Sequence, residues 1–154
     1  MKKSVCKKLY IDLDGVLIGK NGPHDINNAI AKHAEDFLKY ALKYFDCYWL
    51  TTHCKDGDNR RVLNQLNIYA DEGILSLAQA IKPTSWVTLK TEAIDFQSDF
   101  YWLDDKPLGV EIEILRKRNV SERFIQVDTR RYPDDLRRVL HILKQIGWKA
   151  SLTK

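Results

Sequence analysis

Two carboxylates, Asp12 and Asp14, stand one residue apart at the end of the apolar run 9-LYI-11, with Gly15 directly behind them. Residues two apart in an extended segment point the same way, and a glycine lets the chain turn off sharply, so both acids can face one pocket. Like charges at a strand end repel and lose solvent, which implies a positive partner. Three further apolar runs end in comparable groups. After 45-FDCYWL-50 come Thr51, Thr52 and His53; after 100-FYWL-103 come Asp104 and Asp105; after 123-RFIQV-127 come Asp128 and Thr129.

Carboxylates that converge without a basic partner in their own motif suit Mg²⁺, which takes a few oxygen ligands and keeps the rest for water and substrate phosphate. A calcium loop is excluded, because Val16 occupies its fifth position and no glutamate its twelfth. With a metal present, an aspartate can attack phosphorus and form an aspartyl-phosphate. A second carboxylate can protonate the leaving oxygen and later activate water. A threonine hydroxyl with its neighbouring N–H, and a lysine, can hold the phosphoryl oxygens.

Short apolar runs alternating with stretches of helical period predict a parallel sheet covered by helices, with right-handed crossovers. Strands are expected at about 8–13, 45–50, 100–105 and 123–128. Helices are expected over 27–44 with Asp25 as its cap, within 56–69, over about 91–97, from Pro107 to Lys117, and from near Pro133 onward. Residues 70–89 read as a short helix and a loop. Ligands of such a sheet bind outside the carboxyl ends of its strands, where all four polar clusters would meet.

At 154 residues, without repeat or linker, the chain fits one domain spanning 1–154. No run of about 18 apolar residues is present, and the start MKKSVCKKLYIDLDG does not read as a signal peptide. Three cysteines without a CxxC pair argue against a disulfide framework or a zinc site. Together these point to no membrane and to the cytoplasm. The net charge of +4 favours anionic partners without choosing among them.

DLDGVL, then an apolar strand with Thr51, then a lysine before a helix, then an apolar strand ending in Asp-Asp, resembles the haloacid dehalogenase (HAD)-like superfamily of phosphatases and phosphotransferases over about residues 8–146. The resemblance implies a three-layer Rossmann-like α/β fold and a Mg²⁺-dependent phosphomonoesterase. It assigns the nucleophile to Asp12, the general acid/base to Asp14, and phosphate binding to Thr51, Thr52 and Lys90. The metal ligands would be Asp12, Asp14, Asp104 and Asp105, with Asp105 favoured over Asp104 as the direct ligand. Lys82 in 80-AIKPTSW-86 stays open as the alternative third-motif lysine.

The spacings of 39 residues from Asp12 to Thr51 and from Thr51 to Lys90 leave no room for the cap domain of most small-molecule members. A capless site admits a small phosphorylated molecule or the end of a polymer. A weaker resemblance to the HAD domains of RNA-repair proteins, and the basic runs 116-RKRN-119 and 130-RRYPDDLRR-138, keep nucleic acid open as a partner. A metal- and phosphate-binding domain without turnover is a further alternative. His53 is read as an exposed loop residue, Cys54 as packing and Asp128 as a capping or turn residue. Trp49 and Trp102 read as core, Trp86 as a wall of the site, and 17–23 as a mobile flap over it.

Overall fold

The computed structural model describes residues 6–152, with side chains described through residue 147. Residues 1–5, the start of the segment read against a signal peptide, lie outside that range. In chain order the elements are β1 (Lys8–Ile11), β2 (Ile18–Gly19), β3 (Ala29–Ile30), α1 (Ala34–Tyr44), β4 (Asp46–Trp49), α2 (Arg60–Asn67), α3 (Glu72–Ala78), β5 (Phe100–Asp104), α4 (Gly109–Lys117), β6 (Phe124–Gln126) and α5 (Asp135–Leu152). Among the described residues no helix is long and apolar enough to cross a membrane.

β4, β1, β5 and β6 lie side by side in that order, all parallel, as the α/β expectation requires. The chain leaves β1 to one side for β4 and then crosses to the other side for β5. This reversal of strand order creates a crevice at the carboxyl ends of β1 and β5. The register Ile11↔Trp49 and Ile11↔Leu103 sets the ends of β4, β1 and β5 level.

Alternation along each strand gives the sheet two covered faces. Leu9, Ile11, Cys47, Trp49, Leu103 and Ile125 point to the side of α1 and α5, where Phe37, Leu38, Leu136, Val139 and Leu143 meet them. Tyr10, Phe100 and Trp102 point the other way, toward Ile94 and Leu115. Trp49 and Trp102 are fully buried, as read. Trp102 meets Phe124 edge to face, with ring centroids 5.1 Å apart. Each such side chain removed from water contributes about 1.5–3 kcal/mol, which holds the strand ends in place.

Several predicted boundaries are corrected. The first helix begins at Ala34, not Asn27, and Asp25 does not cap it. Ile30 follows the helical spacing by coincidence; it pairs with Ile18 in the β2–β3 hairpin, and Ala31 N–H donates to Leu17 at 2.8 Å. The same pairing overturns the flap reading for its first residues, since Leu17, Ile18 and Gly19 are buried. Between β1 and α1 the chain forms only this hairpin.

The helix expected at 91–97 is a single 3-10 turn, Lys90–Ala93. It stops because Ile94 goes extended to reach the core, while Asp95 donates its N–H to Tyr10 Oη and pairs with Lys8 through its carboxylate. The strands are shorter than read, ending at Ile11, Trp49, Asp104 and Gln126, and the later helices start at Gly109 and Asp135.

Candidate active site

Asp12 follows β1 directly, and its N–H continues the ladder to Leu103 at 3.0 Å. Leu13 O then accepts the N–H groups of Val16, Leu17 and Ile18, wrapping the chain into a tight loop. Gly15 allows that turn at φ +75°, where other residues are strained. A Cβ at Gly15 would lie 2.3 Å from Asp105 Oδ2, so the loop and Asp105 touch only because the side chain is hydrogen.

The three carboxylates Asp12, Asp104 and Asp105 converge, with one oxygen from each within 4.8 Å of the others. Asp12 and Asp104 are buried and Asp105 is half-buried. Lys90 supplies the positive charge: its Nζ is 2.6 Å from Asp104 Oδ2 and 3.3 Å from Asp12 Oδ2. Burial first, and the neighbouring Asp104 charge second, push the Asp12 carboxyl up to about 8, against the pull of Lys90. Burial and Asp104 raise Asp105 as well. Lys90 itself is raised, because the two aspartates outweigh its own burial. Three carboxylates this close, two of them held above their ordinary range by burial and a neighbouring charge, fit a small divalent cation with oxygen ligands. Asp12, Asp104 and Asp105 are the side chains placed to hold one.

Lys90 is the lysine at the site. Lys82 lies at the opposite end of the sheet, paired with Asp46 at the start of β4 at 2.8 Å, which removes it as the alternative. Glu111 fixes the Lys90 backbone: this buried carboxylate accepts Lys90 N–H at 2.7 Å and Leu108 N–H at 3.0 Å, tying the lysine loop to the start of α4. Its signal in the sequence was present, as an acid in the first turn of a helix after Pro107, but nothing there indicated burial.

Asp14 is not in the carboxylate cluster. Its side chain sits on the rim, where His53 Nε2 lies 2.8 Å from Oδ2 and Arg130 Nη2 lies 3.8 Å from Oδ1. His53 is therefore half-buried against Asp14 rather than a free loop residue, which corrects that reading. Arg130, from the loop after β6, went unnoticed because it belongs to a basic run, and only the fold brings it to the strand ends. His53 and Arg130 thus hold the Asp14 carboxylate at the rim, outside the three-aspartate cluster.

Thr51 lies level with Asp12, since Leu50 N–H donates to Ile11 at 2.8 Å and continues the ladder between β1 and β4. Thr51 is fully buried, and its Oγ accepts the His53 N–H at 3.3 Å, opening the 3-10 turn Thr52–Cys54. Thr52 is exposed and lines an adjoining cavity rather than the carboxylate cluster. Trp86 lines the same cavity. Cys54 is buried as packing. Asp128 is a turn residue, accepting Arg131 N–H at 2.9 Å while its own N–H donates to Asp135.

Fold and site together define a parallel α/β chain with a partly buried three-aspartate, one-lysine cluster at the strand ends. No protein-family model, curated protein or solved structure matches the chain.

Proposed function

We propose that this protein is a Mg²⁺-dependent phosphomonoester hydrolase of the HAD-like type, lacking a cap domain and acting in the cytoplasm. The observation that carries the reading is the convergence of Asp12, Asp104 and Asp105 within 4.8 Å, with Lys90 bridging two of them. The bound Mg²⁺ would be held by these carboxylates and would offset the charge of the phosphoryl group. An Asp12 oxygen attacks phosphorus, the bond to the leaving oxygen breaks, and its electron pair takes the proton from Asp14. Water then attacks the aspartyl-phosphate, gives its proton back to Asp14, and releases inorganic phosphate and free Asp12.

Lys90 and the Thr51 hydroxyl stabilise the phosphoryl oxygens. His53 and Arg130 hold the Asp14 carboxylate during both proton transfers. The placement in the cytoplasm is supported by Cys6, Cys47 and Cys54, all free thiols. Phosphate release from a broad phosphoester panel with Mg²⁺ tests the proposal. Release from at least one substrate, lost on chelation and on Asp12→Asn, is the expected result. If the metal raises the melting temperature and no phosphate is released, the protein is a silent metal-binding domain instead.

A further inference from the structure

A cavity of about 480 Å³ opens beside the loop after β4, lined by Thr52, His53, Lys55, Asp56, Arg61, Ser85, Trp86 and Val87. It shares His53 with the site, and His53 contacts Asp14, the group assigned to protonate the leaving oxygen. The cavity thus adjoins the Asp14 side of the site, the side from which a leaving group would depart. Its walls are braced: Trp86 N–H donates to Lys55 O at 2.9 Å, Asp56 pairs with Ser85, and Thr84 Oγ1 donates to Trp49 O at 2.6 Å. Glu92 accepts the N–H groups of Val87 and Leu89 at 3.1 and 2.7 Å, and so fixes the segment between the cavity and Lys90.

The lining carries two basic side chains, Lys55 and Arg61, against one acid, Asp56. Among the described residues neither Lys55 nor Arg61 forms an ion pair, whereas the adjacent Arg60 is paired with Asp58 at 2.6 Å. The Lys55 ammonium lies 4.8 Å above the Trp86 ring. Asp56, the acid of the lining, accepts the Asp58 N–H; beyond the lining, Asp58 is taken by Arg60 and Glu92 by backbone N–H groups. Two unpaired cations and an indole wall suit a ring or sugar that carries its own anionic group.

We propose that this cavity is a second anion subsite, so that the preferred substrate is a phosphomonoester whose leaving alcohol carries another phosphate. The inference rests on the hydrolase reading for its catalytic half. The second phosphate has two sources, a small bisphosphate or the backbone next to a nucleic-acid terminus.

The test compares wild type with Lys55→Gln/Arg61→Gln, both exposed positions, on p-nitrophenyl phosphate, a nucleoside 3′,5′-bisphosphate and an oligonucleotide with a terminal phosphate. Wild type is expected to prefer the latter two, and the double variant to lower that preference ratio roughly tenfold to a hundredfold. The better of the two preferred substrates identifies the source. A second arm measures binding of the nucleoside bisphosphate and the matching monophosphate to Asp12→Asn protein, with and without the two cavity substitutions. Failure to release phosphate from any substrate overturns the hydrolase reading alone, and the binding arm then decides the subsite. Equal selectivity of both proteins, in turnover and in binding, overturns the subsite.

Discussion

Replacing Lys90 by Met removes the one cation that, among the described residues, touches both Asp12 and Asp104. The side chains of the three residues are 13%, 8% and 1% exposed, so water cannot substitute for the ammonium. Removing one partner of a buried ion pair costs about 3–5 kcal/mol. For a chain of this size that lowers the melting temperature by about 6–20 °C. The pH dependence has a definite sign. In the metal-free protein Asp12 titrates at about 8, above its ordinary value of 3.8, so the folded state holds a proton that the unfolded chain releases. Stability of the wild type accordingly falls as pH rises from about 4 to about 8. Without Lys90 the Asp12 carboxyl moves higher still, and the fall continues past that window. The difference between the two proteins is therefore level up to about pH 8 and widens above it, and Mg²⁺ narrows it by supplying another positive charge. Thermal unfolding at pH 5 and pH 8.5, with chelator and with Mg²⁺, measures all four quantities. A metal-free variant within about 1 kcal/mol of wild type at pH 8.5, or a pH-independent difference, refutes the reasoning.

Two other substitutions probe the scaffold of the site. Gly15→Ala places a methyl 2.3 Å from Asp105 Oδ2 in a left-handed backbone conformation. It is expected to cost at least about 1–2 kcal/mol and to weaken Mg²⁺ binding in calorimetry, and unchanged stability with unchanged affinity counts against the contact. Glu111→Gln turns one of two acceptors into a donor facing backbone N–H groups. A loss of about 1–3 kcal/mol in urea unfolding, with a lower kcat, is expected; normal stability would show that Lys90 has another anchor.

The four strands and their polar ends were legible because each apolar run is short, lies between stretches of helical period, and stops at a group that cannot be buried alone. Asp12, Lys90, Asp104 and Asp105 could be named from residue order, and the register of β1 with β5 explains why order was enough. The stretch from Leu17 to Ile30 was not legible. Its pairing is two residues long, and Ile30 satisfies a helical period equally well. His53, Arg130 and Glu111 escaped for a different reason. Their partners lie 39, 116 and 21 positions away in the chain, and side chains common on surfaces carry no local mark of such distant pairing.

The two inner strands of the sheet, β1 and β5, carry the acids, and 92 residues separate the first matched pair, Lys8↔Phe100. During synthesis β1 can find β4 early, but it waits for β5 before Asp12 meets Asp104. The repulsive cluster therefore assembles only after the first half of the sheet already has a hydrophobic face to condense on. Such long-range parallel pairing is slow to form. Once formed, it puts the backbone amides of Ile11 and Asp12 between two neighbours, where they should be among the last to exchange with solvent.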